Sequence, residues 1–312
     1  MTRLHANELE IDIGLVRRLI DTQMPKHAHK PLRALKTSGS TNRLFWLGDD
    51  MLVRLPRQPG GGDAVVKEAR WVSKLTVEIG DVGICVPEVI YVGTPDFGFS
   101  ESWSVMAWLA GDHPSTWLHS SMEAQTALAK DLANVIKILR HQPLPDKIDP
   151  TLRWYRGSAL SEFNAATLEA IETCRDIPGF PLDLDLVADV WRQAMDLPRS
   201  HVAATDAWYH ADLVAENLLV RDGRLHAVLD WGVMGVGDPT VDLHGAWELF
   251  GADARAVFQA ELSVSEEDWF CGRAWALGIA LSCFAYYWDT MPERCADRLI
   301  MARAVLDDVR SH

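Results

Sequence analysis

The chain has 312 residues, 48% hydrophobic and 24% charged, which is long enough for two sub-domains and too apolar for extended disorder. Its formal net charge of −14 argues against nucleic acid or an anionic membrane as the main partner, because both select clustered Lys and Arg, and it suits a cationic small molecule. Five cysteines without a CxxC, no apolar signal core near the start and no apolar run as long as a membrane span set the expectation of a cytoplasmic protein with reduced thiols.

In chain order, Ile11, Leu15, Val16, Leu19 and Ile20 recur at helical spacing and predict an opening amphipathic helix. The small polar loop Thr37-Ser38-Gly39-Ser40-Thr41-Asn42 follows. Its backbone N–H groups can approach a phosphate, although it lacks the GxGxxG spacing. Residues 43–47 and 51–55, around Gly48-Asp49-Asp50, predict a hairpin. A helix over 64–79 is expected to turn Val65, Val66, Ala69, Val72, Leu75 and Ile79 inward and to leave Lys67 in solvent. Short strands fit 88–92 and 103–108.

After Gly111-Asp112 the pattern becomes helical. Ser121 opens a long capped helix carrying Leu128, Leu132, Val135, Ile136 and Leu139. Further helices are expected around 160–177 and 183–195, and the tail is helical from Val241, with 274–288 reading as a buried helix. The expectation is therefore an α+β chain: a β-rich N-terminal lobe over 1–109 and a mainly helical C-terminal lobe over 110–312.

The densest chemistry lies at His210-Ala211-Asp212-Leu213-Val214-Ala215-Glu216-Asn217, followed by Leu229-Asp230-Trp231-Gly232. Between them, two apolar runs flank Asp222-Gly223 and predict a hairpin, which brings Asn217 and Asp230 to one open end. An amide and a carboxylate placed there suit Mg²⁺, which takes few protein oxygens and leaves room for phosphates and water. Asp212 is then placed to orient a hydroxyl and accept its proton. A lone HxDxxxxN, or a lone Asp-Trp-Gly, arises readily by chance; the two in this order around a hairpin are far more specific. Arg54 and Glu68 offer a cation and a helix carboxylate suited to gripping nucleotide phosphates, but pattern alone makes them unrelated surface residues.

These residues resemble the aminoglycoside phosphotransferase family, small-molecule kinases of the protein-kinase-like fold. The likeness runs from about Leu35 to the C-terminus through "LVRLPR", "KEARWVSKL", "HADLVAENLLV" and "AVLDWGVMGVGDPTVDL". It implies a bilobal protein-kinase-like fold and transfer of a phosphoryl group from ATP (or GTP), with Mg²⁺, to a hydroxyl of an aminoglycoside-type antibiotic. It makes Asp212 the catalytic base, Asn217 and Asp230 the metal ligands, and Arg54 with Glu68 the phosphate grip. Gly39 and Ser40 fall near the phosphates, and Met106 and Trp108 in a hinge around the base. His210 and Asp242 are expected to brace the loop rather than react. The chain departs from the family in having Arg54 where reference members carry Lys, and Val214-Ala215-Glu216 where many carry His-Pro-Gly. The first keeps the charge and alters its geometry; the second sets an extra carboxylate beside the metal site.

The helical lobe supplies Trp247, Glu248, Tyr286, Tyr287 and Asp289 as acids and aromatics for a cationic acceptor, although helix acids are more often a solvated face. A kinase for another hydroxyl compound (a choline-like amine, a sugar or a macrolide) is an alternative, because the fold is shared and the sequence does not read out the acceptor pocket. A catalytically silent nucleotide-binding protein is a second, and the presence of Asp212, Asn217 and Asp230 argues against it.

Overall fold

The computed structural model describes residues 4, 5, 7–35, 40–114, 117–153, 156–197 and 206–311. Its contacts divide the chain into two units, Met1–Asp81 with Cys85–Ala110, and Val82–Ile84 with Gly111–His312.

The first unit contains α1 (Ile13–Gln23), β1 (Leu32–Ala34), β2 (Asn42–Leu47), β3 (Met51–Pro56), α2 (Gly62–Leu75), α3 (Val77–Asp81), β4 (Val89–Gly93) and β5 (Trp103–Ala107). Asp12 caps α1 by accepting the Leu15 N–H at 2.6 Å. The strands form one antiparallel sheet in the order β1-β2-β3-β5-β4. Strand alternation then decides which residues meet which helix. Val53 and Leu55 join Phe45, Leu47, Trp103 and Val105 against Leu15, Val16, Leu19 and Ile20 of α1. Arg54, one residue out of phase with them, turns to the opposite face.

The helix expected over 64–79 is two helices. It breaks at Thr76, whose hydroxyl bonds back to the Val72 carbonyl at 2.7 Å, and α3 restarts one residue later. The buried row of α2 is Val65, Glu68, Val72 and Leu75, a spacing of three, four and three that marks one helix face. Glu68 therefore lies in the row facing the sheet. Val66, expected inside, lies off that row and is exposed, while Lys67, expected in solvent, is buried.

In the second unit α4 (Met122–His141) starts at Ser121, whose hydroxyl accepts the Ala124 N–H. A 3-10 turn at Leu160–Phe163 precedes α5 (Asn164–Arg175), and Asp183 caps α6 (Leu184–Asp196). Strand β6 (Ala207–Tyr209) pairs with β9 (Gly235–Gly237), and β7 (Leu218–Arg221) with β8 (Arg224–Val228). Helices α7 (Ala246–Leu249), α8 (Ala252–Leu262), α9 (Glu266–Tyr287) and α10 (Pro292–Arg310) complete it. Leu160, Trp191, Tyr209, Val241 and Trp275 form part of its core. The turn between β7 and β8 is Asp222-Gly223 with φ of 52° and 74°, the paired positive values that a two-residue hairpin of right-handed twist demands. Cys271, Cys283 and Cys295 are buried free thiols. Among the described residues, no helix is long and apolar enough to cross a membrane.

Candidate active site

Strand β6 ends at Tyr209 and releases the chain into residues 210–217, which have little regular structure, so their backbone groups need partners from elsewhere. Asp242 supplies them. Its buried carboxylate accepts the His210 N–H at 3.1 Å to each oxygen and the Ala211 N–H at 2.6 Å. His210 is fully buried; its Nδ1 accepts the Asp212 N–H at 3.2 Å, so its Nε2 carries the proton and donates to the Leu229 carbonyl at 2.9 Å. With both ring nitrogens engaged and its ring packed T-shaped with that of Trp231, His210 is a brace.

Two further contacts repeat at intervals of three. A Cβ at Gly245 would stand 1.9 Å from the Leu213 carbonyl oxygen, so the backbones touch there. Glu248 accepts the Ala215 N–H at 2.8 Å. Residues 242, 245 and 248 thus line one face of a short helical stretch and hold loop residues 210–211, 213 and 215.

Asp212 and Asn217 meet within this loop. The Asn217 amide nitrogen donates to Asp212 Oδ2 at 2.7 Å and to its backbone carbonyl at 2.9 Å. With the nitrogen committed, the amide oxygen is the atom left for a cation. The Leu229 N–H donates to the Asn217 carbonyl at 2.8 Å, so the hairpin closes and sets Asp230 at the same mouth. Asp230 has φ of 52°, a left-handed conformation that turns the chain from β8 into the turn Trp231–Val233. Among the described residues no group of three or more His, Cys, Asp or Glu could hold a metal. An oxygen-only set of one amide and one carboxylate fits Mg²⁺, whose remaining positions go to phosphates and water.

The electrostatics centre on Asp212. Burial alone raises its pKa; Arg156, then Arg298, outweigh burial and hold the carboxyl well below its usual range. Arg156 donates to Asp212 Oδ1 and, at 3.3 Å, to the Ala211 carbonyl. Glu216, the extra carboxylate next to Asn217, is paired with Arg294 at 2.8 Å and Arg298 at 3.1 Å, both on α10. Arg298 also pairs with Glu248. Glu248 and Trp247, neither lining an acceptor nor on a solvated face, are fully buried, and the Trp247 indole donates to Asp308.

The first unit brings Arg54, Glu68 and Met106 together. Arg54 is 7% exposed and Glu68 2%, and one guanidinium nitrogen donates to both carboxylate oxygens, at 3.1 and 3.0 Å, and to the Met106 sulfur at 2.8 Å. The surface-pair reading of the pattern fails here, because strand phase and helix row both turn inward. Ser40 receives a hydrogen bond from the His5 ring on its carbonyl at 2.8 Å, and Gly39 lies outside the described residues. The Trp108 N–H donates to the Asp50 carbonyl at 2.9 Å, and its ring packs on Trp46 with centroids 4.1 Å apart.

The profile of the phosphotransferase enzyme family matches residues 33–275. The chain belongs to this family. Solved structures resemble the phosphotransferase in fold. The GDP and kanamycin complex of APH(2")-IIia is 18% identical, with 96% of this chain and 99% of that chain covered and a TM-score of 0.67. The streptomycin-ATP-APH(2")-IIa ternary complex is also 18% identical, covering 94% and 95%, with a TM-score of 0.60. The apoenzyme of macrolide 2'-phosphotransferase MphH from Brachybacterium faecium is 18% identical as well, covering 94% and 97%, with a TM-score of 0.57. At such identities the likeness establishes the α+β protein-kinase-like fold. No curated protein matches the phosphotransferase in sequence.

Sequence reasoning missed Arg156 and the Glu248–Arg298 pair. The one available signal was Glu248 itself, an acid inside the apolar run Ala246-Trp247-Glu248-Leu249-Phe250. A carboxylate in such a run is paired or it is not there.

Proposed function

We propose that this phosphotransferase moves the terminal phosphoryl group of ATP or GTP to a hydroxyl of a small molecule, with an aminoglycoside-type antibiotic as the acceptor class. The observation that carries the reading is the Asp212–Asn217 contact inside the braced loop, with Asp230 at the closing hairpin mouth. Arg54, held by Glu68, grips the nucleotide phosphates, helped by the backbone around Gly39 and Ser40, and the segment at Met106 and Trp108 lines the base. Since the Trp108 N–H is already bonded to Asp50, that residue meets the base through its ring or its carbonyl.

The Asn217 amide oxygen and the Asp230 carboxylate are the groups that would hold Mg²⁺, which when bound offsets charge on the transferred group. Asp212 aligns the acceptor hydroxyl. As the bond from that oxygen to phosphorus forms and the bond to the nucleoside diphosphate breaks, the proton passes to Asp212. A carboxylate held so firmly ionised is a weak base, so alignment is its larger contribution. Kanamycin, gentamicin and streptomycin complexes among the structural neighbours support the acceptor class. The macrolide phosphotransferases among them support a macrolide as the second reading. A cytoplasmic site of action agrees with nucleotide use and with the free thiols.

The test is nucleotide consumption by purified protein over a panel of aminoglycosides, macrolides and amino alcohols, with product mass spectrometry. A gain of one phosphate on an acceptor is expected. Asp212→Ala should lower transfer by about 10³-fold, at the middle of the range for a positioned base, with nucleotide affinity nearly unchanged. Normal turnover by that variant would remove Asp212 from its role. Tight nucleotide binding with no acceptor modified would favour the silent protein.

A further inference from the structure

Arg156 reaches Asp212 from outside every motif, in the segment between α4 and α5, and its placement is built into the fold. Gly157 has φ of +86°, and a Cβ there would stand 2.2 Å from the Tyr209 ring. Its carbonyl accepts the Asp238 N–H at 2.7 Å. Upstream, Arg153 donates to the Val236 carbonyl at 3.2 Å and pairs with Asp206. The segment is thus fixed to both strands of the β6–β9 pair. Tyr209, which Gly157 touches, is the residue that launches the catalytic loop.

The loop itself is held by Asp242, Gly245, Glu248 and Asn217, as described above, and Arg156 adds one backbone contact to it, at the Ala211 carbonyl. What Arg156 changes is the surroundings of the reacting oxygen. Asp212 Oδ2 receives Asn217 and Oδ1 receives Arg156. Each carboxylate oxygen accepts two hydrogen bonds, so an acceptor hydroxyl still docks, but with a guanidinium as its immediate neighbour. Asp212 matches the Arg156 charge as Arg294 and Arg298 match Glu216 and Glu248, so what the guanidinium adds beside the reacting oxygen is N–H donors rather than net charge.

We propose that Arg156 is a specificity-determining residue of the acceptor site. It selects molecules in which the group beside the reacting hydroxyl is an oxygen (hydroxyl, ether or carbonyl), and it rejects an ammonium at that place. An oxygen there accepts a hydrogen bond from the guanidinium, whereas an ammonium is itself only a donor and has no lone pair to accept one. Amino groups elsewhere on the acceptor are unaffected. The inference rests on the phosphotransferase reading of this site and narrows its substrate class.

The experiment uses the full chain loaded with a non-hydrolysable nucleotide and a kanamycin series in which each amino group in turn is replaced by hydroxyl. Binding is read by calorimetry for the wild type, Arg156→Gln and Arg156→Lys, with turnover followed in parallel. At one position the replacement should tighten wild-type binding by about tenfold or more. Arg156→Gln should erase that gain, and Arg156→Lys should keep part of it. Nucleotide affinity reports whether each variant is folded, and the wild-type series stands alone if Arg156→Gln is not. No position with such a gain, an unchanged gain in a folded Arg156→Gln, or no binding at all overturns the assignment. A binding preference without phosphate transfer upholds Arg156 and sinks the phosphotransfer reading instead.

Discussion

Two polar pairs, Arg54 with Glu68 in the first unit and Asp212 with Asn217 in the second, are held by opposite means. In the first unit, Arg54 and Glu68 stand on a strand and a helix, so regular elements fix their backbones and the pair is buried. In the second, Asp212 and Asn217 stand on a loop whose backbone is fixed by side chains, chiefly Asp242, His210 and Glu248. The first arrangement places the energetic weight on the pair itself. The second places it on the residues around the loop, and there Asn217 is buried while the Asp212 side chain stays 21% exposed.

The largest consequence falls on the first unit. Glu68→Ala strands a buried guanidinium and should cost about 3–5 kcal/mol in urea unfolding. Replacing both partners, as Arg54→Met with Glu68→Leu, should recover most of that stability while abolishing the phosphate grip. If the single variant costs almost nothing, the pair is not structurally buried in solution. In the second unit Asp242→Ala should cost about 3 kcal/mol, because it leaves two backbone donors of the loop without their acceptor, and transfer should fall with it. Loss of stability with intact transfer would show that the loop holds its shape without Asp242.

Next in size are two burial-shifted bases, one in each unit. Burial pushes the Lys67 ammonium down to about 8 against the pull of Glu68, and pushes the His244 imidazole down to about 4. Each group binds a proton more readily in the unfolded chain, so each makes stability rise with pH across its own window. For His244 the window runs from the ordinary 6.5 down to about 4, and for Lys67 from the ordinary 10.5 down to about 8. Within either window the slope should be about 1.4 kcal/mol per pH unit. Stability measured against pH should flatten between 4 and 6.5 in His244→Phe and between 8 and 10.5 in Lys67→Met. A slope that persists in both variants would assign these losses to other groups.

The smallest effect separates loop strain from loop chemistry. Ala211 holds φ of 68°, a conformation costly to any residue with a Cβ. Ala211→Gly should therefore leave transfer unchanged and stabilise by about 1 kcal/mol, seen as a rise in Tm. A fall in Tm would mean that the entropy of the extra glycine outweighs the relief.

Much of the scaffold was legible in the residues. The hairpins at 48–50 and 222–223, the cap at Ser121 and the apolar face of α1 are local, because each depends on neighbours within a few positions. The break at Thr76 was not, since the apolar spacing runs on through it. The same holds for the short β6–β9 pair, whose strands carry too few residues to show alternation and exist only through each other.

By itself the sequence determined that an acid, an amide and a second acid would be grouped around a hairpin, because turn chemistry and strand alternation act over short stretches. Tertiary structure alone decided that Arg54 and Glu68 are partners, that Glu216 and Glu248 are neutralised by α10, and that Arg156 lies against Asp212. Those are contacts between charges far apart in the chain. The sequence around a charge can show, as at Glu248, that it needs a partner, but the partner is chosen by whatever the fold brings within reach when water is removed.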